Sequence, residues 1–192
     1  MAASGLPHFS DLGVKDPELL KLFEDFRTGS TERCFLNRLR ANAQSTADRV
    51  ILTWLGRKGD VENTLTFAQL WERSGRVADL LVQDHGLGPG DRVMIVYPFG
   101  LEFLEGFVGC LRAGIIVCSV YPPNPRKFKE DVPKFAKFVA DSGATIALST
   151  SVYKRLVWVD KMIPFRSSGW PTNLTWVATD ALERRSDRQV PD

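Results

Sequence analysis

The pattern of apolar and polar positions is most regular after Thr66, where apolar residues recur every three or four positions. This spacing places one side of a helix towards a core and predicts an amphipathic helix that ends near Asp84. Thr66 and Gln69 match a capping box, in which two side chains satisfy each other's exposed backbone donors. The apolar face of this helix comprises Phe67, Leu70, Trp71, Val77, Ala78 and Leu81.

Two helices are predicted ahead of this one. The first starts at Asp16-Pro17-Glu18, with a capping aspartate and a proline in the first turn, and ends at Gly29. The second covers residues 31–43, and its spacing predicts an inward face of Phe35, Leu36 and Leu39.

Short apolar runs bounded by turn residues alternate with the remaining helices. Strands are predicted over residues 49–56, 64–67, 92–97, 115–120, 145–149 and 173–178. Further helices are predicted over residues 101–112 and 131–142 and from residue 151 onwards. Helices that alternate with short apolar strands indicate an α/β fold with a mostly parallel sheet flanked by helices.

The segment HGLGPGDRVMIV, residues 85–96, raises the possibility of a phosphate-binding loop. Such loops follow a strand and open a helix, so that the anion meets the helix N-terminus. Here the glycines follow a helix and lead into a strand, and neither G-x-G-x-x-G nor G-K-[ST] is present. Gly86 therefore fits a left-handed helix end, and Pro89-Gly90 fits a tight turn.

Two other segments resemble binding motifs. Residues 28–31, Thr-Gly-Ser-Thr, are better explained as a helix end followed by a helix cap, since no strand precedes them and no lysine follows. Residues 125–143 interleave Lys and Phe as a binder of single-stranded nucleic acid does. A solvated helix, with Lys134 and Lys137 outward, is the favoured alternative. Its buried face comprises Phe128, Val132, Phe135 and Val139.

Composition adds no catalytic signature. The 192 residues carry a formal net charge of +2, which gives no reason to expect a nucleic-acid partner. The three cysteines, Cys34, Cys110 and Cys118, are widely spaced and indicate neither a disulfide framework nor a zinc site. His8 and His85 lie in no recognisable nucleophile motif, and no acidic spacing suggests a metal site. We therefore predict no catalytic, cofactor-binding or metal-ligating residue in this chain.

The expected compartment is the cytoplasm. The first residues show no basic and apolar leader, and the most apolar window, residues 93–120, is interrupted by Glu102, Glu105 and Arg112. A transmembrane segment is therefore not expected.

The order of segments resembles a known family. The resemblance rests on residues 65–125, LTFAQLWERSGRVADLLVQDHGLGPGDRVMIVYPFGLEFLEGFVGCLRAGIIVCSVYPPNP. This stretch is similar to the beginning of adenylate-forming enzymes, the acyl- and aminoacyl-activating ligases. Three stretches look most like the fatty acyl-AMP ligase branch. They are residues 97–114, the VYPPNP segment and DSGATIALSTS. Ser119 departs from the family, whose members often carry proline there.

The resemblance implies a fold and a chemistry. The fold would be the N-terminal portion of the family's large domain. The family uses ATP and Mg²⁺ to convert a carboxylate into an acyl-adenylate. It then passes the acyl group to coenzyme A or to the phosphopantetheine arm of an acyl carrier protein. Four features of the family have no counterpart here. They are the phosphate loop that ends in proline-lysine-glycine, the acidic metal ligand, the ribose-binding aspartate and the C-terminal lysine. We therefore expect that this chain alone binds no ATP or Mg²⁺ and is inactive.

Two further expectations concern the domain organisation of the chain and the alternative functions. Residues 1–30 are expected to form a helical lead-in, and residues 31–192 a partial AMP-binding domain, truncated or split off. The first rival is a non-catalytic docking module that binds a ligase or a carrier protein, with Trp54, Trp158, Trp170 and Trp176 as contact residues. The second rival, a Rossmann-like nucleotide binder, is disfavoured because the glycine fingerprint is missing.

Overall fold

The computed structural model describes residues 17, 34–162, 168–180 and 182. The predicted helix over residues 16–29 lies, apart from residue 17, outside the described residues. The described helices are α1 (Phe35–Ser45), α2 (Phe67–Asp79), α3 (Glu102–Arg112), α4 (Phe128–Ser142) and α5 (Ser151–Met162). The strands are β1 (Val50–Leu55), β2 (Val61–Thr66), β3 (Arg92–Ile95), β4 (Ile116–Ser119), β5 (Ile146–Ser149) and β6 (Thr175–Ala178).

Four of these strands form a parallel sheet in the order β4-β3-β5-β6. The crossover through α3 leads from β3 to β4, and the crossover through α4 returns to β5 on the other side of β3. Strands β1 and β2 form a separate antiparallel hairpin. The sequence-predicted fold class, α/β with a mostly parallel sheet flanked by helices, is confirmed.

The sheet is covered on both faces. Helices α4 and α5 cover one face with a cluster rich in aromatic side chains, comprising Phe128, Phe135, Tyr153, Trp170 and Trp176 together with aliphatic residues. Helices α2 and α3 cover the other face, over Val93, Ile95, Leu148 and Val177. A third cluster joins α1 and the β1–β2 hairpin to α2 and α3 through Leu39, Leu65, Leu70 and Val108. Since β3 lies between both layers, its Val93, Met94 and Ile95 are completely buried.

The capping box predicted at the start of α2 is present. Gln69 N donates to Thr66 Oγ1 over 3.2 Å, and Thr66 N donates to Gln69 Oε1 over 3.0 Å. The helix continues to Asp84 as predicted, but its last turn, Leu80–Asp84, is a π-helix. Gly86 then adopts a φ of 66°, the left-handed conformation expected of a helix end.

Two charged groups of helix α3, Glu105 and Arg112, have partners on helix α2. Glu105, which is 8% exposed, accepts a hydrogen bond from Arg73 Nη1 over 3.0 Å. The Arg112 guanidinium lies 3.7 Å from the centre of the Trp71 ring and donates to Trp71 O. Burial lowers the pKa of Arg112. These side chains therefore join α3 to α2 and are part of the scaffold.

Two details of the sequence prediction are wrong. Helix α4 starts at Phe128 rather than at Asp131, because Asn124 Oδ1 accepts from Arg126 N and starts a 3₁₀ turn that runs directly into the helix. Phe35, expected to face inward, is 55% exposed, whereas Leu39 is buried and Leu36 partly buried. Phe35 is the first residue of α1, one turn away from Leu39, and the inward face begins later than the spacing suggested.

The glycine-rich segment forms a turn whose amides are all used within the chain. Asp91 N donates to Gly88 O over 3.1 Å, with Gly90 at a φ of 92°, as in a type II turn. Gly88 N donates to Asp91 Oδ2 over 2.8 Å, and Gly90 N donates to Gly114 O over 3.1 Å. The amides of Gly86 and Leu87 donate to carbonyls of the preceding helical turn. Residues 86–91 thus leave no amide for a phosphate, as the sequence order predicted.

We expect Gly90→Ala to lower the free energy of unfolding by about 1 kcal/mol, because an L-residue is strained in the left-handed region. An added Cβ at Gly90 meets nothing within 4 Å, so the cost is conformational. Gly88 has equally open surroundings but no left-handed φ, which makes Gly88→Ala the matched control. Urea denaturation of both variants measures the difference, and equal midpoints would contradict a turn that requires glycine at residue 90.

Candidate functional site

The carboxyl ends of the four parallel strands meet at one edge of the sheet. The chain crosses from β4 over to β5 beyond β3, so the topological switch point lies between β3 and β5. Ligands of open α/β sheets bind outside the carboxyl ends of the strands at such a point. This edge is therefore the candidate site.

Hydroxyl groups at this edge bond to residues at the ends of other strands. Ser149 Oγ, at the end of β5, donates to Val96 O over 2.6 Å. The hydroxyls of Tyr97 and Thr179 lie 2.8 Å apart and link the ends of β3 and β6. Tyr153 Oη donates to Pro123 O over 2.7 Å and fixes the segment that follows β4. These hydroxyls hold the strand ends together.

Neither Tyr97 nor Tyr153 is suited to proton transfer at neutral pH. Burial raises the pKa of Tyr97, with smaller contributions from Cys110 and Glu105. Burial also raises the pKa of Tyr153, and Asp131 raises it further. Both phenols stay protonated at neutral pH, so their roles at this edge are structural.

The N-terminus of α5 is the one strand-to-helix junction in the described part of the chain with a hydroxyl-rich turn. Residues 149–151, Ser-Thr-Ser, follow β5 and open the helix, which is the order that anion-binding loops require. Here Asp180 Oδ1 accepts from Ser151 N over 2.8 Å and from Ser151 Oγ over 2.7 Å. The chain's own carboxylate thus stands where an external anion would bind. The sequence analysis missed this contact, because Asp180 is distant from Ser151 along the chain.

Two apolar cavities open on either side of the segment that follows β4. One, of about 330 Å³, lies between this segment, the β1–β2 hairpin and the start of α3. It is lined by Trp54, Phe99, Phe103, Leu104 and Tyr121, among others. The other, of about 400 Å³, lies against α4 and is lined by Tyr121, Pro123, Lys134, Phe135 and Phe138, among others. Phe99 and Tyr121, 79% and 70% exposed, form an edge-to-face pair between them, with ring centroids 5.8 Å apart.

The described residues offer no metal site, since none of their His, Cys, Asp and Glu side chains form a group of three that could hold a metal ion. Burial raises the pKa of Cys110 to about 12, so this thiol is not a nucleophile at neutral pH. His85 is half-buried at the end of the π-helical turn, away from the carboxyl edge. The residues that the structure describes thus do not fit ATP with Mg²⁺.

The four tryptophans proposed as contact residues divide into two groups. Trp170 and Trp176 are 7% and 8% exposed in the aromatic cluster, so the structure does not place them on a surface where a partner could dock. Trp170 Nε1 donates to Asp160 Oδ2 over 2.9 Å, which fixes the ring inside the core. Trp158 is 60% exposed on α5, and Trp54 is half-buried at the cavity beside the hairpin.

None of the helices in the described ranges has the length and apolar character needed to cross a membrane.

Curated proteins with similar sequences fall into two groups. Residues of this chain are 34% identical over 148 positions to human Disco-interacting protein 2 homolog B, covering 77% of this chain and 9% of that protein. The identity to Drosophila melanogaster Disco-interacting protein 2 is 36% over 111 positions, covering 58% and 6%. A medium-chain-fatty-acid–[acyl-carrier-protein] ligase of Moorena producens is 27% identical, covering 56% and 21%. The chain therefore spans a small fraction of the length of these relatives.

Solved structures agree with the fold. The fatty acid AMP ligase of Legionella pneumophila superposes with a TM-score of 0.57 at 25% identity, covering 80% of this chain and 25% of that one. The L. pneumophila fatty acyl-adenylate ligase in complex with acyl adenylate and pyrophosphate gives a TM-score of 0.59 with the same coverage. These matches confirm the resemblance to adenylate-forming enzymes. Residues 39–184, well over half of the chain, match the family model of AMP-binding enzymes, and the chain belongs to that family.

Proposed function

We propose that this chain supplies the N-terminal scaffold of an adenylate-forming domain of the fatty acyl-AMP ligase type. In this proposal the whole protein activates a fatty acid with ATP and Mg²⁺ and transfers the acyl group to an acyl carrier protein or coenzyme A. Residues 1–30 are a helical lead-in, and residues 31–192 are part of the AMP-binding domain. The similarity to the L. pneumophila ligases supports the type of ligase.

The observation that carries the proposal is the apolar cavity between the β1–β2 hairpin and the carboxyl ends of β3 and β4. Its lining is mostly hydrocarbon and aromatic, from Trp54, Phe103 and Leu104, which suits an alkyl chain better than a polar substrate. The buried Tyr97 hydroxyl at this cavity already has a partner, since it lies 2.8 Å from the Thr179 hydroxyl. In this proposal the chain forms an apolar wall of the acyl site, which buries the alkyl chain, and supplies no reacting groups.

A second candidate function is a non-catalytic docking module derived from such an enzyme, which binds a ligase or a carrier protein. Two observations favour it: the higher identity to Disco-interacting proteins than to ligases, and the exposed apolar residues of α5. Trp158 would be the central contact of such a module, because it is large and 60% exposed.

We expect the isolated chain to give no carboxylate-dependent ATP–pyrophosphate exchange. The physical reason is that the amides of residues 86–91, and the amide of Ser151 at the start of α5, are bonded to the chain's own oxygens. The L. pneumophila ligase, assayed alongside, provides the positive control. Exchange by the isolated chain above the level without fatty acid would contradict the proposed scaffold role.

We expect a fatty acid that carries a diazirine at its ω end to label the cavity segment of residues 97–104. Leu104→Arg places a charge in the apolar lining and should lower labelling about tenfold, since burying an unpaired charge is costly. Val152→Arg, at an exposed apolar position of α5, is the matched control and should label as the unchanged chain does. Peptide mapping by mass spectrometry measures both, and labelling that is insensitive to Leu104→Arg would place the acyl chain elsewhere.

A further inference from the structure

Helix α5 exposes a broad apolar surface to solvent. Its buried residues, Tyr153, Val157 and Asp160, occupy one narrow side of the helix. With about 100° between successive residues, the apolar residues of the remaining surface lie within an arc of about 160°. Exposed apolar patches of this kind mark sites of contact with a protein or a membrane. The residues of this apolar arc, each between 40% and 70% exposed, are Val152, Leu156, Trp158, Val159 and Met162.

Three basic side chains accompany the apolar arc. Arg155 lies within the arc, and Lys154 and Lys161, seven residues apart, lie along one border of it. All three are exposed. Asp160, the one acidic residue of α5, is buried and accepts a hydrogen bond from Trp170 Nε1. The exposed surface of α5 therefore carries positive charge that no acidic side chain of the helix offsets.

The net charge of the chain is concentrated on this helix. Three basic residues and one acidic residue give α5 a net charge of +2, which equals the net charge of all 192 residues, so the rest of the chain is balanced. Asp180, at the N-terminal end of α5, already accepts hydrogen bonds from Ser151 N and Oγ. A negatively charged partner is therefore complementary to α5 in particular and not to the chain as a whole.

The surface of an anionic bilayer suits both features of α5. Apolar side chains enter the boundary between headgroups and acyl chains, while lysine and arginine stems extend so that their charges reach the phosphates. Tryptophan is enriched at this interface. A protein layer over the same arc would bury the Arg155 guanidinium, which is costly unless a carboxylate is placed to meet it. A second copy is disfavoured as well, because it would bring Arg155 of both copies together.

We propose that α5 is a membrane-surface helix that docks the protein on a bilayer containing anionic phospholipid. The helix has 12 residues and a length of about 18 Å, so it lies along the surface and does not cross the bilayer. Tyr153 and Val157 keep it packed on the aromatic cluster, so docking requires no unfolding. This inference does not depend on the proposed fatty acid chemistry, because no residue of α5 lines the cavity beside the hairpin.

The test measures co-sedimentation of the chain with extruded vesicles. One set of vesicles contains phosphatidylcholine alone, and the other contains phosphatidylcholine with about 30% phosphatidylserine. We expect binding to the anionic vesicles to be at least about tenfold stronger, because the basic side chains of α5 are attracted to the negative surface. We also expect this difference to shrink as the salt concentration rises.

Two pairs of charge variants locate the contact. Arg155→Gln with Lys161→Gln removes two positive charges from α5. Arg57→Gln with Lys58→Gln removes the same charge from the exposed turn between β1 and β2 and is the matched control. The α5 pair should weaken binding to anionic vesicles about tenfold, and the control pair should leave it nearly unchanged. All four side chains are exposed, so the thermal midpoint should change little in either case.

Two variants of Trp158 test whether the apolar arc enters the bilayer. Trp158→Ala should weaken binding about tenfold, because it removes apolar area from the contact, whereas Leu55→Ala, at an exposed position of the hairpin, should not. Trp158→Phe keeps an aromatic ring and removes the fluorophore. It should bind nearly as the unchanged chain does, yet lose the tryptophan fluorescence that brominated phosphatidylcholine quenches.

Four outcomes would overturn the proposal. They are no binding to anionic vesicles, equal binding to both kinds of vesicle, equal losses from the two charge pairs, and binding without quenching of Trp158. A dimer that Trp158→Ala dissociates, without vesicle binding, would assign this face to a second copy. Binding of purified acyl carrier protein in place of vesicles would assign it to the second candidate function. ATP–pyrophosphate exchange is measured separately, so the result for the scaffold role leaves the vesicle result intact.

Discussion

The structure depends on the backbone hydrogen bonds that place β3 in the middle of the sheet. The turn at residues 88–91 sets where this strand begins, because Gly90 N bonds to Gly114 O in the turn that precedes β4. Arg92 is thereby aligned with Ile116, and the register continues through Ile95 and Ser119. Strand β5 pairs on the other side of β3, so both helical layers pack over a strand whose Val93, Met94 and Ile95 are completely buried. A shift at this turn would displace the carboxyl edge where the cavities lie.

Hydrogen bonds within the chain also occupy backbone amides at the two turns that most resemble anion-binding loops. Anion binding requires backbone amides with no other partner. At the glycine turn the Asp91 carboxylate accepts from Gly88 N, and at the start of α5 the Asp180 carboxylate accepts from Ser151 N. Each acidic side chain neutralises a position where phosphate would otherwise be stabilised. What remains at the carboxyl edge is an apolar surface shaped by Phe99, Tyr121 and the hairpin.

Much of the fold could be predicted from the sequence, because its signals are local. The capping box at Thr66, the left-handed Gly86 and the buried spacing of α4 each depend on residues within a few positions of one another. The features that the sequence did not predict depend on distant partners. Asp180 accepts from Ser151, the Tyr97 and Thr179 hydroxyls pair, and Asp160 accepts the indole N–H of the buried Trp170. The prediction that the glycine-rich segment forms a turn followed from segment order alone.

The two edge strands of the sheet, β4 and β6, differ in how deeply their outward residues are buried. This difference follows from the order of the strands. At β4 the outward residues include Ser119, a polar and exposed position suited to a boundary. At β6 the corresponding positions are Trp176 and Ala178, within a strand that both helical layers already cover. Each crossover after β4 adds a strand on the same side, first β5 and then β6. The strand order thus places β6 at one edge of the sheet, and α5, which exposes Val152, Trp158 and Met162, packs beside it.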